Sequence, residues 1–166
     1  APESRPAGTI EATRRHGFGA RAILALVIFQ IFLGGLVAGL NAGLTFNTWP
    51  LMDGQFIPGG LLAMEPAWLN AFENVMTVQF QHRMVAYLVT AAVLWQALRI
   101  FAGGAAVVLR MPVAIMVAAV VLQVLFGIAT LLKHVPLDYA LLHQAMAVIV
   151  LAISVNLVVL TGNSRA

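Results

Sequence analysis

Cysteine is absent from the 166 residues of the chain, and charged residues make up only 9% of them. The lack of cysteine excludes disulfides, iron-sulfur clusters and cysteine-based zinc sites within the chain, so any metal must be held by histidine, methionine or oxygen donors. The scarcity of charge, beside a hydrophobic content of 61%, excludes an ordinary soluble domain. Such a composition is typical of a chain that lies mostly within a bilayer.

Four apolar runs are each long enough, at about 20 residues, to cross the hydrocarbon layer of a membrane. They must be helices, because unclosed strands would leave backbone polar groups unpaired in lipid. The predicted spans are Ala20–Leu40, Thr77–Leu98, Met111–Leu132 and Tyr139–Leu160. The long connection Asn41–Met76 carries turn signals and a candidate short helix at 67–72, which indicate a folded external loop. The sequence therefore predicts an all-α membrane protein, a bundle of four transmembrane helices.

The basic residues indicate how these helices cross the membrane. The net charge is only +3, and the basic residues form no patch interleaved with aromatic residues, so we expect no binding of nucleic acid. Only Arg83 and Lys133 lie toward the side of the long connection. The other seven lie on the opposite side, namely Arg5, Arg14, Arg15, Arg21, Arg99, Arg110 and Arg165. The positive-inside rule then predicts that both termini are cytoplasmic and that residues 41–76 are external.

The four spans also show a weak internal repeat of two hairpins. The first and third spans share a mid-helix glutamine followed four residues later by a glycine, in Gln30–Gly34 and Gln123–Gly127. The second and fourth spans carry His82 and His143 at about the same depth. Two such hairpins packed about a pseudo-two-fold axis would point the two histidines toward one another across the bundle.

The two histidines are the candidate functional residues. An intramembrane imidazole needs a polar partner, and a facing pair without other ligand types suits the iron of a haem. Alanines one turn after each histidine, Ala86 and Ala147, leave room for a flat macrocycle. In the alternative interpretation, each histidine bonds a neighbouring helix and adds about 1 kcal/mol of stability. Two roles are open for Arg83, which follows His82: it reaches lipid phosphate, or it pairs with a haem propionate.

Two motifs carry a resemblance to a known family. Residues 41–54 read NAGLTFNTWPLMDG, and residues 72–83 read FENVMTVQFQHR, with the second histidine following on the fourth span. The order and spacing of these motifs closely resemble the haem A synthase family. The resemblance covers nearly the whole chain, and it is to the C-terminal four-helix half of the usual eight-helix enzyme.

The resemblance implies an activity and a cofactor. Members of the family oxidise a methyl group of haem O to the formyl group of haem A, which terminal oxidases use. Their N-terminal half hosts the reacting haem, beside a glutamate three residues before a histidine. Their C-terminal half holds a b-type haem between two histidines, which match His82 and His143. At the positions three residues before these, the chain has Gln79 and Ala140. Without a carboxylate to handle protons, no catalytic residue is expected, and the half alone is expected to be inactive.

The same resemblance implies the organisation and partners of the chain. Residues 1–19 are predicted to be a cytoplasmic segment or a linker between halves, residues 20–161 the haem-binding domain, and residues 162–166 a tail. The expected partners are the N-terminal half, haem O as substrate, haem O synthase, an electron donor and the bilayer. The expected location is the inner membrane of a bacterium, or of a mitochondrion. Two alternatives stay open, namely a stand-alone bis-histidine membrane cytochrome and a membrane assembly subunit without a cofactor.

Overall fold

The computed structural model describes Glu11 and residues 13–103 and 107–162. Four long helices dominate it, and each is long and apolar enough to cross a membrane. In chain order the α-helices are α1 Gly17–Gly39, the short α2 Asn70–Glu73, α3 Val75–Ala102, α4 Arg110–Leu132 and α5 Leu137–Gly162. The described ranges contain no strand, only an isolated bridge at a turn. The predicted fold class, an all-helical membrane protein with four spans, is confirmed.

Each long helix contains its predicted span, except that α1 ends at Gly39, one residue short of Leu40. Of the other boundaries, the end of α4 at Leu132 coincides with its prediction, and the rest lie one to four residues outside the predicted ones. Asn74 caps α3 by accepting from the amides of Met76 and Thr77. Several predictions made from the sequence fall outside the described residues, namely Arg5, Arg165 and most of the segments 1–19 and 162–166.

The four long helices pack as a ring in which α1 contacts α3 and α5, and α4 contacts the same two helices. Their main apolar core lies in the half of the bundle where α1 begins, and is built from Ala20, Ile23, Val27, Val89, Val93, Met116, Ala119, Val120, Val150 and Leu157. Large apolar side chains also cover the outer surface, among them Ile28 and Leu125. Apolar residues both inside and outside are what a helix bundle in lipid requires.

The long connection between α1 and α3 folds as a compact loop over the other end of the bundle. It contains short 3-10 helices at Ala42–Leu44 and Ala67–Leu69, and the second runs directly into α2. Buried Asn70 holds the loop by bonding both main-chain groups of Met64. The hydroxyl of Thr77 donates to the carbonyl of Leu61, which ties the loop to α3. The predicted folded loop and its short helix are therefore present.

The connection between α4 and α5 is tight, as its length predicts. His134 and Val135 both adopt positive φ values there, of 63° and 59°. The amide of Asn47 in the long loop donates to Leu131 at the end of α4, at 2.7 Å. The long loop and the tight turn therefore lie at the same end of the bundle, where α3 and α5 begin.

Candidate functional site

His82 lies seven residues after the start of α3 and packs against the Gln30–Gly34 turn of α1. The side-chain nitrogen of Gln30 is 3.1 Å from Nδ1 and 3.3 Å from Nε2 of this imidazole, and it donates to the carbonyl of His82 at 3.0 Å. One turn along α1, a Cβ atom added to Gly34 would lie 3.3 Å from Cε1 of His82. The glycine therefore lets the imidazole lie close to the backbone of α1.

His143 lies six residues after the start of α5 and packs against the matching turn of α4. Its Nδ1 is 3.0 Å from the main-chain oxygen of Gln123, and its Nε2 is 3.5 Å from the side-chain nitrogen of the same residue. A Cβ atom on Gly127 would lie only 2.7 Å from Cε1 of His143. Real Cβ atoms essentially never come so close to another atom, so a side chain at this position on α4 would force the imidazole of His143 to shift.

The two arrangements are equivalent, which supports the repeat of two hairpins predicted from the sequence. In each, the helix that precedes the histidine supplies a glutamine that contacts the imidazole and a glycine that makes room for it. His82 and His143 are both half-buried, and each lies within two turns of the start of its helix, at the end of the bundle next to the long loop. The structure therefore brings the two predicted histidines into one region of the bundle, just beneath the long loop.

Each of these turns leaves one acceptor without a partner. The side-chain oxygens of Gln30 and Gln123 are buried, and neither has a hydrogen-bond partner among the residues that the structure describes. An unpaired buried oxygen is costly, and more so in a membrane, where water does not compensate. Two such oxygens, one in each of these turns, are available as hydrogen-bond acceptors in this region.

Arg83 reaches into the long loop. It is buried, with 9% of its surface exposed. Its guanidinium donates to the carbonyls of Phe46 and Thr48, at 2.7 and 2.8 Å, and to the side-chain oxygen of Gln79, at 3.0 Å. Its Nε has no partner in the described part of the chain. In this structure the arginine binds loop carbonyls, and its contact with a haem propionate stays a prediction.

Gln79 completes this arginine clamp, the network of Arg83, Gln79 and the loop carbonyls. The amide of Gln79 is buried and donates to the carbonyl of Ala42 at 2.8 Å, while its oxygen accepts from Arg83. The residue that precedes His82 by three positions therefore has a structural role. At the equivalent position before His143, Ala140 has no polar side chain, so the clamp belongs to the first hairpin alone.

Sequence reasoning did not identify the glutamines and glycines as partners of the histidines. The shared spacing of Gln30–Gly34 and Gln123–Gly127 served only as evidence of an internal repeat. The same spacing was the signal from which their contacts with the histidines could have been predicted. A groove on the described surface contains none of the site residues. It lies between the beginning of α4 and the later half of α5, and is lined by Met111, Pro112, Ile115, Ala152, Ile153 and Asn156.

Comparison with known proteins shows which family the chain resembles. The family model described as "Cytochrome oxidase assembly protein" matches residues 2–155. The chain is 50% identical over 153 residues to a protein of Mesorhizobium japonicum named "Heme A synthase", covering 91% of this chain and 40% of that protein. It is 48% identical over 152 residues to the protein of the same name from Chelativorans sp., covering 91% and 41%.

A third relative is the "Heme A synthase" of Sinorhizobium medicae, 44% identical over 154 residues, covering 93% of this chain and 41% of that protein. The chain thus spans about two fifths of the length of the curated relatives it matches. No solved structure matches it.

Proposed function

The chain belongs to the haem A synthase family of cytochrome oxidase assembly proteins, and we propose that it forms the half of such an enzyme that binds a b-type haem between His82 and His143. The observation that carries this proposal is the equivalence of the two histidine sites. Each imidazole lies against a glycine of the preceding helix, and the two imidazoles share one end of the bundle. Two histidines related in this way would hold one haem iron between them.

The residues present fit such a group. Gly34 and Gly127 keep side chains away from the imidazoles, and the unpaired oxygens of Gln30 and Gln123 offer acceptors beside them. The described ranges contain no cluster of three or more histidine, cysteine or acidic residues that could hold a bare metal ion. A haem needs only two protein ligands, because its porphyrin supplies the other four. When bound, it would supply one-electron transfer.

The activity of the whole protein follows as part of this proposal, namely oxidation of the methyl group of haem O to the formyl group of haem A. We assign the reaction with haem O to an N-terminal half, since this chain offers no carboxylate beside its histidines. The amide of Gln79 is already held by Ala42 and Arg83, so it is not free to act on a substrate. The role proposed for this half is to pass electrons, with haem O synthase and an electron donor as further partners.

We further propose that this multi-pass protein lies in a bacterial inner membrane, or a mitochondrial one, with both termini cytoplasmic. Among the described residues, Arg14, Arg15, Arg21 and Arg99 support this orientation. All four are exposed and lie at the end of the bundle opposite the long loop. On the loop side, by contrast, Arg83 is buried and donates to loop carbonyls.

The haem ligands can be tested in the detergent-purified chain. We expect a reduced low-spin haem spectrum that is lost or changed to high spin in both His82→Ala and His143→Ala. His134→Ala is the matched control, since His134 is exposed in the turn between α4 and α5. An unchanged low-spin spectrum in both site variants would exclude the proposed ligands. A chain without haem would favour the assembly subunit. If the chain binds haem but the complete protein forms no haem A, the result would favour the stand-alone cytochrome.

A further inference from the structure

We propose that Gln30 is a positioning residue for the haem iron, because its side-chain oxygen accepts a hydrogen bond from Nδ1 of His82 when Nε2 of that imidazole binds iron. For His143 the same task falls to the main-chain oxygen of Gln123. The inference rests on the proposed function, since it assumes a haem held by these two histidines. The two glutamines hold equivalent positions, but Gln30 accepts through its side-chain oxygen and Gln123 through its main-chain oxygen.

The geometry at His143 shows the simpler case. Nδ1 of His143 lies 3.0 Å from the carbonyl oxygen of Gln123. A carbonyl can only accept, so Nδ1 carries the proton in this hydrogen bond. Nε2 then keeps its lone pair, and the side-chain nitrogen of Gln123, 3.5 Å away, faces it as a donor. This is the tautomer that ligates a metal through Nε2, and the carbonyl holds the ring in orientation.

At His82 no main-chain oxygen of α1 performs this task in the hydrogen bonds described. The nearest polar group is the side-chain amide of Gln30, whose nitrogen approaches both ring nitrogens and donates to the carbonyl of His82. The oxygen of the same amide is buried without a partner. The carbonyl of His82 also lies inside α3, where the helix supplies its own donor. The contact of that carbonyl with Gln30 is therefore dispensable.

Iron binding changes what His82 requires of Gln30. With Nε2 on the iron, Nδ1 of the neutral imidazole carries a proton and needs an acceptor. A rotation of the Gln30 side chain that turns its amide away from the carbonyl of His82 and its oxygen toward Nδ1 supplies this acceptor. The oxygen that is buried without a partner then accepts from Nδ1. This hydrogen bond favours the iron-bound state of His82.

This hydrogen bond predicts that substituting Gln30 affects the haem more than substituting Gln123. An acceptor on Nδ1 makes the imidazole a stronger donor to iron, which stabilises the ferric state and lowers the reduction potential. Replacing Gln30 by leucine removes this acceptor. The same replacement at Gln123 leaves its main-chain oxygen in place. Equivalent positions in the two hairpins should therefore respond differently to the same substitution.

The experiment compares the haem-loaded 166-residue chain with Gln30→Leu, Gln30→Glu and Gln123→Leu, measuring the midpoint potential, the low-spin spectrum and haem retention. We expect Gln30→Leu to shift the potential in the positive direction and to weaken haem binding by about 10- to 100-fold. Gln123→Leu should shift the potential much less than Gln30→Leu, since the main-chain oxygen that accepts from Nδ1 of His143 remains. Gln30→Glu should shift the potential in the negative direction, since a carboxylate is the stronger acceptor.

Opposite shifts for leucine and glutamate would support a hydrogen bond to the iron ligand, because structural damage would not reverse sign. A wild-type potential in Gln30→Leu, or equal shifts in the two leucine variants, would overturn the inference while leaving the bis-histidine haem intact. If Gln30→Leu is not recovered from membranes, the midpoint potential of Gln30→Glu decides: a negative shift supports the inference, and any other result overturns it. A wild-type chain without a low-spin haem would instead contradict the proposed function, and the inference with it.

Discussion

Gly127 of α4 lies so close to His143 of α5 that a single added carbon would overlap the imidazole. The Cβ of any other residue at position 127 would be 2.7 Å from Cε1 and 3.2 Å from Nδ1 of His143. At the equivalent position on α1 the contact is looser, since a Cβ on Gly34 would be 3.3 Å from Cε1 of His82. The two histidines are therefore confined to different degrees, and substitutions can measure the difference.

We predict that Gly127→Ala weakens haem retention by about tenfold or more, because overpacking of this kind costs about 1–3 kcal/mol. Gly34→Ala should have a smaller effect, since its neighbour needs to move only a few tenths of an ångström. Gly35→Ala is the matched control, with nothing within 4 Å of its added carbon. The measurement is haem bound per purified chain. Equal retention in Gly127→Ala and Gly35→Ala would show that His143 does not need its present position to hold haem.

A second prediction concerns the arginine clamp. We expect Arg83→Lys to loosen residues 46–52, because a lysine cannot reach Phe46, Thr48 and Gln79 at once as the guanidinium does. Hydrogen bonds to a charged group contribute about 1.5–3 kcal/mol, so backbone amides of this segment should exchange at least about tenfold faster. The measurement is hydrogen exchange by mass spectrometry. Arg99→Lys, at the exposed opposite end, is the control.

The same variant tests the predicted contact of Arg83 with a haem propionate. If the arginine serves only the loop, Arg83→Lys should keep the haem content and potential of the wild type while the loop exchanges faster. A lowered haem content, or a shifted potential, with a loop as protected as in the wild type would contradict the clamp and favour the propionate.

A third prediction concerns topology. The chain has no cysteine of its own, so single cysteines report their positions without background. In intact cells, an impermeant thiol reagent should label Gln55→Cys in the exposed long loop. It should not label Ala105→Cys, which replaces a residue outside the described ranges. The reason is the excess of arginine on the side of residue 105. Labelling at position 105 but not at 55 would reverse the orientation.

The fourth prediction concerns chemistry. Expressed alone with haem O synthase and a suitable reductant, the chain should accumulate haem O and form no haem A. Gln79 cannot titrate, and an iron with two histidine ligands leaves no open position for oxygen. Haem extracted from membranes and identified by mass is the measurement, with membranes lacking the chain as control. Haem A above that control would mean that this half is itself the catalyst.

The fold was largely predictable because lipid restricts the choices. Runs of about 20 apolar residues in a membrane can only be helices, so four of them set both the number and the type of element. The depth of His82 and His143 followed from counting along their helices, because each residue adds a fixed rise.

What the sequence could not determine was which residue touches which. Whether Gln30 meets His82 through its side chain, or Gln123 meets His143 through its main chain, depends on helix rotation to within a fraction of a turn. That rotation is set by the packing of all four helices, not by any one of them.

The arginine clamp depends on tertiary structure even more. Arg83 stands beside His82 in the chain, which suggested a role at the lipid surface or at a haem. The path of the long loop instead brings the carbonyls of Phe46 and Thr48 to its guanidinium. The sequence alone determined the membrane, the four helices and the pair of histidines, because hydrophobicity and helical rise act locally. Only the tertiary structure decided the partners of each polar group, because a buried hydrogen bond is satisfied by whichever atom the fold brings within about 3 Å.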